Sequence, residues 1–255
     1  MGWAQSMEAV RALIRRAANE ILRVPGAAIP GVLAPTIFFL GLTSVFGALD
    51  HLSGFPAPYK DWLIPVSLLQ GAGFTGAATG VNLARDIEQG WFDRLLVSPA
   101  PRPVILSGLV ISAALRSLIP AVFLLAVGFA VGVNWPGLDG LLIALILVMG
   151  MGTVAACWGT MLALRYRSQS AAPLMQAGML LLVLTTTAYA PLDFLKGWLH
   201  TVAKYNPVTQ ILEAARQGFI GSVTWGDTWP GLLCLAGLLA LLSALALRGM
   251  RRTAV

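Results

Sequence analysis

Charged residues are scarce in this sequence, at 11% of its 255 residues, whereas a soluble domain carries about 25%. Apolar residues make up 57% of the chain, and the mean hydropathy is +0.78. The two cysteines, Cys157 and Cys234, lie inside apolar runs, so they predict neither a disulfide framework nor a metal cluster. This composition excludes a disordered tail, a nucleic-acid-binding module and almost any water-soluble enzyme. It predicts an integral membrane protein.

Catalytic and energy-coupling motifs are also missing from the sequence. HExxH, GxSxG and a cysteine–histidine neighbourhood do not occur, so we predict no catalytic residue and no metal ligand. The sequence has no GxxxxGK[ST] loop, which means that ATP would have to be handled by another subunit. No acidic residue lies in the middle of an apolar run, which disfavours proton coupling. Sodium coupling through backbone carbonyls stays open, so an ion-coupled secondary transporter remains an alternative.

Six apolar runs are long enough, at about 20 residues each, to cross a membrane. Backbone groups in lipid must be hydrogen-bonded within their own segment, so each run is predicted to be a helix. Twelve basic residues fall on one side of the resulting layout and four on the other, which predicts that both termini are cytoplasmic. We therefore predict an all-α polytopic membrane protein with one domain over residues 1–255. Its predicted transmembrane helices are 26–49, 62–82, 104–133, 138–164, 171–190 and 228–247.

The N-terminal segment has apolar residues at every third or fourth position from Trp3 to Ile21. Its arginines fall mostly off that face, as in helices that lie in the membrane interface. The pattern predicts an interfacial helix over residues 3–24. A simple positively charged anchor is the alternative.

The loop at residues 85–99 has Ile87, Trp91 and Leu95 at intervals of four, which predicts one face of a short helix. Prolines from Pro99 onward would end this helix. Apolar residues surrounded by charge on a cytoplasmic loop are typical of a surface that docks a partner. They fit equally well a face that rests on lipid headgroups.

Residues 191–225 are too many for a turn and too interrupted for a crossing. Asn206 is a typical N-cap residue, and Pro207 is typical of the first turn of a helix. Together they predict the start of a second helical piece. Trp198 is typical of an aromatic residue at a membrane interface. We predict a re-entrant helical hairpin on the outer side, before the last span.

Ala72, Gly76 and Gly80 recur every four residues, so they predict a close approach between two helices. Arg116 is the one charged residue well inside a predicted span, since Asp139 lies at the edge of the fourth. Either the start of its long helix protrudes from the membrane, or the arginine contacts the substrate. Other polar residues of spans two and five are predicted to make helix–helix hydrogen bonds or to line a substrate path: Gln70, Thr75, Thr79, Asn82, Gln176 and Thr186.

Two segments on opposite sides of this layout resemble the type-2 ABC exporter permeases, the family of the daunorubicin-resistance membrane subunits. One is the Glu-Gln-Gly run of 88–90, in which the first residue is acidic, followed by the Arg-Leu-Leu-Val-Ser-Pro run of 94–99. The other includes Pro191, the Tyr-Asn-Pro-Val-Thr run of 205–209 and the Ala-Arg-x-x-Phe-x-Gly run of 215–221. The six-span layout is also similar, so the resemblance covers the whole chain.

The resemblance implies a permease without an ATPase of its own, in a bacterial plasma (inner) membrane. Two permeases, either identical or homologous, would pair within the lipid and bind two ATPase subunits that hold ATP and Mg²⁺. Substrate would move outward between the paired halves. The mainly aliphatic spans favour a drug-like or lipid-like amphiphile, with a polysaccharide or glycolipid as the alternative. The implied docking residues of the 85–99 coupling helix are Ile87, Glu88, Trp91, Phe92, Arg94 and Leu95, and those of the outer hairpin are Pro191, Trp198, Asn206, Pro207 and Arg216.

Overall fold

The computed structural model describes residues 29–48, 56–92 and 101–252. These residues form eight α-helices and no β-strand, which confirms the predicted all-α class. The predicted interfacial helix at 3–24 lies outside the described residues. The helices are α1 (Ile29–Phe46), α2 (Tyr59–Glu88), α3 (Arg102–Ala130), α4 (Gly137–Tyr166), α5 (Ala172–Leu184), α6 (Gly197–Tyr205), α7 (Pro207–Ile220) and α8 (Trp225–Arg252).

Three of the described helices, α3, α4 and α8, are long and apolar enough to cross a membrane. Their outward faces carry large exposed apolar side chains, among them Val122, Leu142 and Leu233. A water-soluble protein rarely exposes apolar patches of this extent. The outward faces therefore fit a surrounding lipid phase.

Helix α2 lies at the centre of the fold and contacts α1, α3, α4, α5 and α7. Its residues from Asp61 to Gly73 are all buried. Because its neighbours cover it on every side, α2 can include glutamine, serine and glycine that a lipid-facing helix would disfavour.

The predicted close helix approach occurs between α2 and α4. A Cβ atom on Gly159 of α4 would lie 3.0 Å from the Cα of Gly80, and one on Gly76 would clash with the carbonyl oxygen of Gly152. Only glycine leaves room for two backbones at this distance. The glycines thus set how closely the two longest helices pack.

Hydrogen bonds join the helices at both ends of this bundle. At the first end, Asp61 at the start of α2 accepts bonds from the backbone N and the Nδ2 of Asn134, at 2.8 and 2.6 Å. At the opposite end, Glu88 accepts bonds from the connection between α4 and α5. We call these the Asp61 end and the Glu88 end.

Helix α5 ends at Leu184, six residues before the predicted end of the fifth span at Ala190. The hydroxyl of Thr185 donates to the carbonyl of Leu181, and that of Thr186 donates to the carbonyl of Val183, at 2.8 and 2.6 Å. The backbone amides of Thr185 and Thr186 donate to the same two carbonyls, so each carbonyl accepts two hydrogen bonds. Hydrogen bonds from side chains to the local backbone compete with continuation of a helix.

Candidate functional site

The predicted coupling helix at 85–99 is not one continuous helix. Ile87 lies in the last turn of α2, and the chain then turns at Gln89 and Gly90 before it resumes helical backbone at Trp91. Gly90 has a φ of +70°, a conformation that glycine adopts without strain. Ile87 and Trp91 therefore do not share the face of a single helix. Arg94 and Leu95 lie outside the described residues.

The two aromatic residues after this turn differ in exposure. Phe92 is fully buried in the core, whereas Trp91 is partly exposed. Of the two, only Trp91 has a ring that is accessible at the surface. The alternation of apolar and polar residues in the sequence does not distinguish them.

Glu88 holds together the turn that precedes α5. Its Oε1 accepts hydrogen bonds from the Ser168 hydroxyl at 2.7 Å and the Gln169 amide at 2.9 Å, and its Oε2 accepts one from Gln169 Nε2 at 2.7 Å. Bonds from Gln169 and then Ser168 lower the pKa of the Glu88 carboxyl. The carboxylate that we predicted at a docking surface thus also connects the end of α2 to the start of α5.

Arg116 meets another predicted path residue inside the bundle. Its Nη2 donates to the Oγ1 of Thr79 at 2.7 Å, from α3 to α2. Thr79 is buried and Arg116 is partly buried. Arginine at membrane depth is costly unless it bonds to protein or to water. The structure therefore turns this charge toward the protein interior.

The other predicted path residues are distributed along α2 and α5. Gln70 is buried, while Thr75, Asn82 and Gln176 are half-buried. A Cβ added to Gly31 would lie 2.5 Å from the Thr75 hydroxyl oxygen, so Thr75 faces α1. Thr186 lies near the Asp61 end, where its hydroxyl bonds to its own helix.

Asn206 joins the predicted hairpin to α5. Its Oδ1 accepts the Val208 amide at 2.9 Å as the N-cap of α7, and its Nδ2 donates to the Leu182 carbonyl at 2.9 Å. Pro207 occupies the first turn, where its missing N–H costs nothing. The Asn-Pro pair thus starts α7, and Asn206 also binds a carbonyl near the end of α5.

Arg216 of α7 is fully buried at the Asp61 end. Its Nη1 lies 2.8 Å from Glu213 Oε1, its Nη2 donates to the Thr187 carbonyl at 2.9 Å, and its Nε donates to the Trp62 carbonyl at 3.2 Å. Its guanidinium carbon also lies 3.6 Å from the centroid of the Trp62 ring. A buried charge is costly unless it is paired and hydrogen-bonded, and these contacts meet that requirement for Arg216.

Sequence reasoning did not select Glu213, Thr187 or Trp62 as partners of Arg216. Thr187 also donates a hydrogen bond to Glu213 Oε1, so the four residues form one network. The spacing of Glu213 and Arg216 by three residues on an amphipathic helix could have predicted their ion pair. The contacts with Thr187 and Trp62 come from distant parts of the sequence and carry no local signal.

Exposed tryptophans and exposed arginines lie at opposite ends of the bundle, although the exposed Lys196 and Lys204 also lie at the Asp61 end and Tyr166 is exposed at the Glu88 end. Trp135, Trp198, Tyr205 and Trp225 are between 59% and 76% exposed at the Asp61 end. Tryptophan and tyrosine favour the membrane–water interface, and arginine favours the cytoplasmic side. The described arginines at the Glu88 end are Arg85, Arg102, Arg165, Arg167, Arg248 and Arg251.

Apolar outward faces around a packed core of helices define a helical membrane protein. A family model for the ABC-2 type transporter matches residues 8–220, most of the chain. The chain therefore belongs to the ABC-2 type transporter family, in agreement with the resemblance of its sequence to type-2 ABC exporter permeases. It is a membrane permease subunit of an ABC exporter, and the family implies a separate ATPase.

Relatives with permease names match over most of the chain. The transport permease ycf38 of Pyropia yezoensis is 28% identical over 94% of this chain and 85% of its own length. The doxorubicin resistance ABC transporter permease protein DrrC of Mycobacterium tuberculosis is 26% identical over 98% of this chain and 89% of its own. The multidrug ABC transporter permease YbhR of Escherichia coli is 25% identical over 70% of this chain and 50% of its own.

Proposed function

We propose that this permease moves a drug-like or lipid-like amphiphile outward across a bacterial plasma membrane, with ATP hydrolysed on separate subunits. The observation that carries this proposal is the similarity to DrrC, named for doxorubicin resistance, over nearly the whole chain. The outward faces of α3, α4 and α8 are aliphatic, which suits passage of an amphiphile between protein and lipid. A polysaccharide exporter would favour exposed aromatic rings along its path.

In this proposal the chain crosses the membrane six times, through α1 to α5 and α8. The Glu88 end is cytoplasmic, because it holds the exposed arginines, and both termini are on that side. The Asp61 end faces outward and carries the exposed tryptophans. Helices α6 and α7 form the outer re-entrant hairpin, whose position depends on Arg216 and Asn206.

The ATPase subunits dock on the segment around Trp91, at the Glu88 end. Two ATPase subunits, which bind ATP and Mg²⁺, serve two permease chains that are identical or homologous. A displacement of this segment would reach α2 directly, since Ile87 lies in the last turn of that helix. It would reach α5 through the hydrogen bonds of Glu88 to Ser168 and Gln169. One contact surface would thus move two helices together.

The experiment is co-purification of the ATPase with matched permease variants at equal membrane expression. Truncation of a buried aromatic anchor commonly costs about 2 kcal/mol, which corresponds to a roughly thirty-fold loss of affinity. We expect Trp91→Ala to release the ATPase. The matched control is Trp135→Ala, whose exposed ring lies at the opposite end and should leave ATPase binding unchanged.

Transport is measured in vesicles that hold the permease and its ATPase, with doxorubicin as the probe. We expect doxorubicin to stimulate ATP hydrolysis and to be moved while ATP is present, whether or not a proton gradient exists. Export that stops when an uncoupler is added at constant ATP would instead support ion-coupled transport. Full ATPase binding by Trp91→Ala would contradict the docking assignment.

A further inference from the structure

A cavity of about 470 Å³ opens between α4 and α8 at the Glu88 end. Its charged lining consists of Arg165 and Arg167 from the end of α4 and Arg248 from the last turns of α8. Its apolar lining includes Met161, Leu164 and Leu245. A concave surface thus combines three positive charges with an aliphatic floor.

The three arginines have no partner among the residues that the structure describes. Within the described part of the chain, no hydrogen bond or ion pair joins the guanidinium of Arg165, Arg167 or Arg248 to another residue. Like charges in one cavity repel each other, so an anion between them would be stabilising. Arginine donors match the oxygens of a phosphate especially well.

The backbone at Arg167 supports a specific role for this residue. Arg167 has a φ of +52° at the end of α4, and it is the one non-glycine residue with positive φ among those described. Glycine usually occupies this helix-ending position because a Cβ atom is unfavourable there. Backbone strain of this kind clusters at ligand sites.

The location of the cavity identifies the kind of anion. It lies at the ends of two helices that are long and apolar enough to cross a membrane. Below the arginines, α8 presents exposed aliphatic side chains such as Leu241 to the surroundings. A ligand that fits both surfaces has a phosphate group and hydrocarbon chains. Basic cavities between membrane helices bind anionic lipid headgroups in this way.

We propose that this cavity binds the headgroup of an anionic phospholipid, with phosphate oxygens on the three arginines and acyl chains along α8. This lipid would lie in the cytoplasmic leaflet if the membrane orientation in the proposed function holds. The binding itself does not depend on that orientation. The lipid would fasten the ends of α4 and α8 together beside the turn that Glu88 holds. Transport by this permease would then depend on the lipid composition of the membrane.

The test measures lipid binding to the full-length permease in detergent, without an ATPase. The probes are phosphatidylglycerol and phosphatidylcholine with the same fluorescent acyl chain. We expect tighter binding of phosphatidylglycerol, and we expect Arg165→Gln with Arg248→Gln to weaken it about thirty-fold, since each basic residue near an anionic lipid contributes a factor of about five. Binding of phosphatidylcholine should not change. The matched control is Arg85→Gln, an exposed arginine at the same end outside the cavity lining.

Thermal unfolding shows whether each variant is folded. If the double variant is unfolded, Arg248→Gln alone is tested in its place, with an expected five-fold loss of affinity for phosphatidylglycerol. Equal affinity of the permease for the two lipids would overturn the proposal. Displacement of phosphatidylglycerol by inorganic phosphate alone would also overturn it, because the site would then bind a free anion. If the double variant binds phosphatidylglycerol normally, and a separate co-purification shows that it no longer retains the ATPase, the arginines belong to a protein contact instead. None of these outcomes depends on transport, so a failed transport assay leaves the lipid result interpretable.

Discussion

Arg216 stacks on Trp62, with its guanidinium carbon 3.6 Å from the centroid of the indole ring. The contact connects α7 to the first turns of α2, at the centre of the fold. The same guanidinium binds the Thr187 carbonyl beyond the end of α5. One buried side chain therefore fixes three segments that are far apart in the sequence.

Replacement of Arg216 by alanine should destabilise the protein by about 3 kcal/mol, because loss of one partner leaves the other groups of a buried network unpaired. Arg216→Lys should recover only part of this loss, since an ammonium group cannot both stack on Trp62 and bind three separate acceptors. Thermal unfolding in detergent measures both effects. The control is Lys196→Ala, an exposed cation just before α6. A shift for Arg216→Ala no larger than that of the control would contradict the prediction.

Gly80→Ala should destabilise the protein by about 1–3 kcal/mol, the usual range for overpacking. The added methyl group would clash with the backbone of Gly159 on α4, which has no side chain to move aside. The matched control is Gly237→Ala on α8, where an added Cβ meets nothing within 4 Å. In a helix that change should be neutral or slightly stabilising. If the two variants unfold at the same temperature, the α2–α4 contact is looser than described.

The contribution of Glu88 to stability should depend on pH. Hydrogen bonds from Gln169 and Ser168 lower the pKa of this carboxyl below its usual value near 4.5. The stabilisation is therefore fully present above the usual pKa, and it disappears as the pH falls through the lowered pKa of the folded state. We expect Glu88→Ala to unfold at a lower temperature than the wild-type protein at pH 7 and to approach it in acid. Asp193→Ala, at an exposed carboxylate, should show no such convergence.

The proposed orientation predicts which side of the membrane labels engineered cysteines. In a variant without Cys157 and Cys234, Ser222→Cys between α7 and α8 should react with a membrane-impermeant maleimide added outside. Ser170→Cys, at the Glu88 end, should react only after permeabilisation, and both positions are exposed. Ser117→Cys is the control, since Ser117 is fully buried and should react only after denaturation. Labelling of Ser170→Cys in intact cells would show that the orientation is the opposite of the proposed one.

Several structural features could be predicted because their signals are local. Apolar runs and the scarcity of charge predicted an all-helical membrane protein, since lipid requires hydrogen-bonded backbone within each segment. Asn206 and Pro207 marked the start of α7. The four-residue spacing of Gly76 and Gly80 predicted a close helix contact, although it did not identify α4 as the partner.

Other features could not be read from local patterns. The spacing of Ile87 and Trp91 predicted one continuous helix, but the turn at Gly90 separates them, because an isolated glycine permits either a helix or a turn. Helix α5 ends at Leu184, within an apolar run that hydropathy alone extends to Ala190. In both places the outcome depends on hydrogen bonds and packing that hydropathy does not include.

The sequence by itself determined the membrane environment, the helical class and the resemblance to the ABC-2 family, because composition, run length and short motifs carry that information. Only the tertiary structure decided the partners of the polar groups. Arg116 meets Thr79, Glu88 meets Ser168 and Gln169, and Arg216 meets Trp62 and Thr187. Each of these contacts joins helices or connections that are 29 or more residues apart. A polar group bonds to whichever donor or acceptor the fold brings beside it, most strictly where it is buried, and that neighbour is fixed only when the helices have packed together.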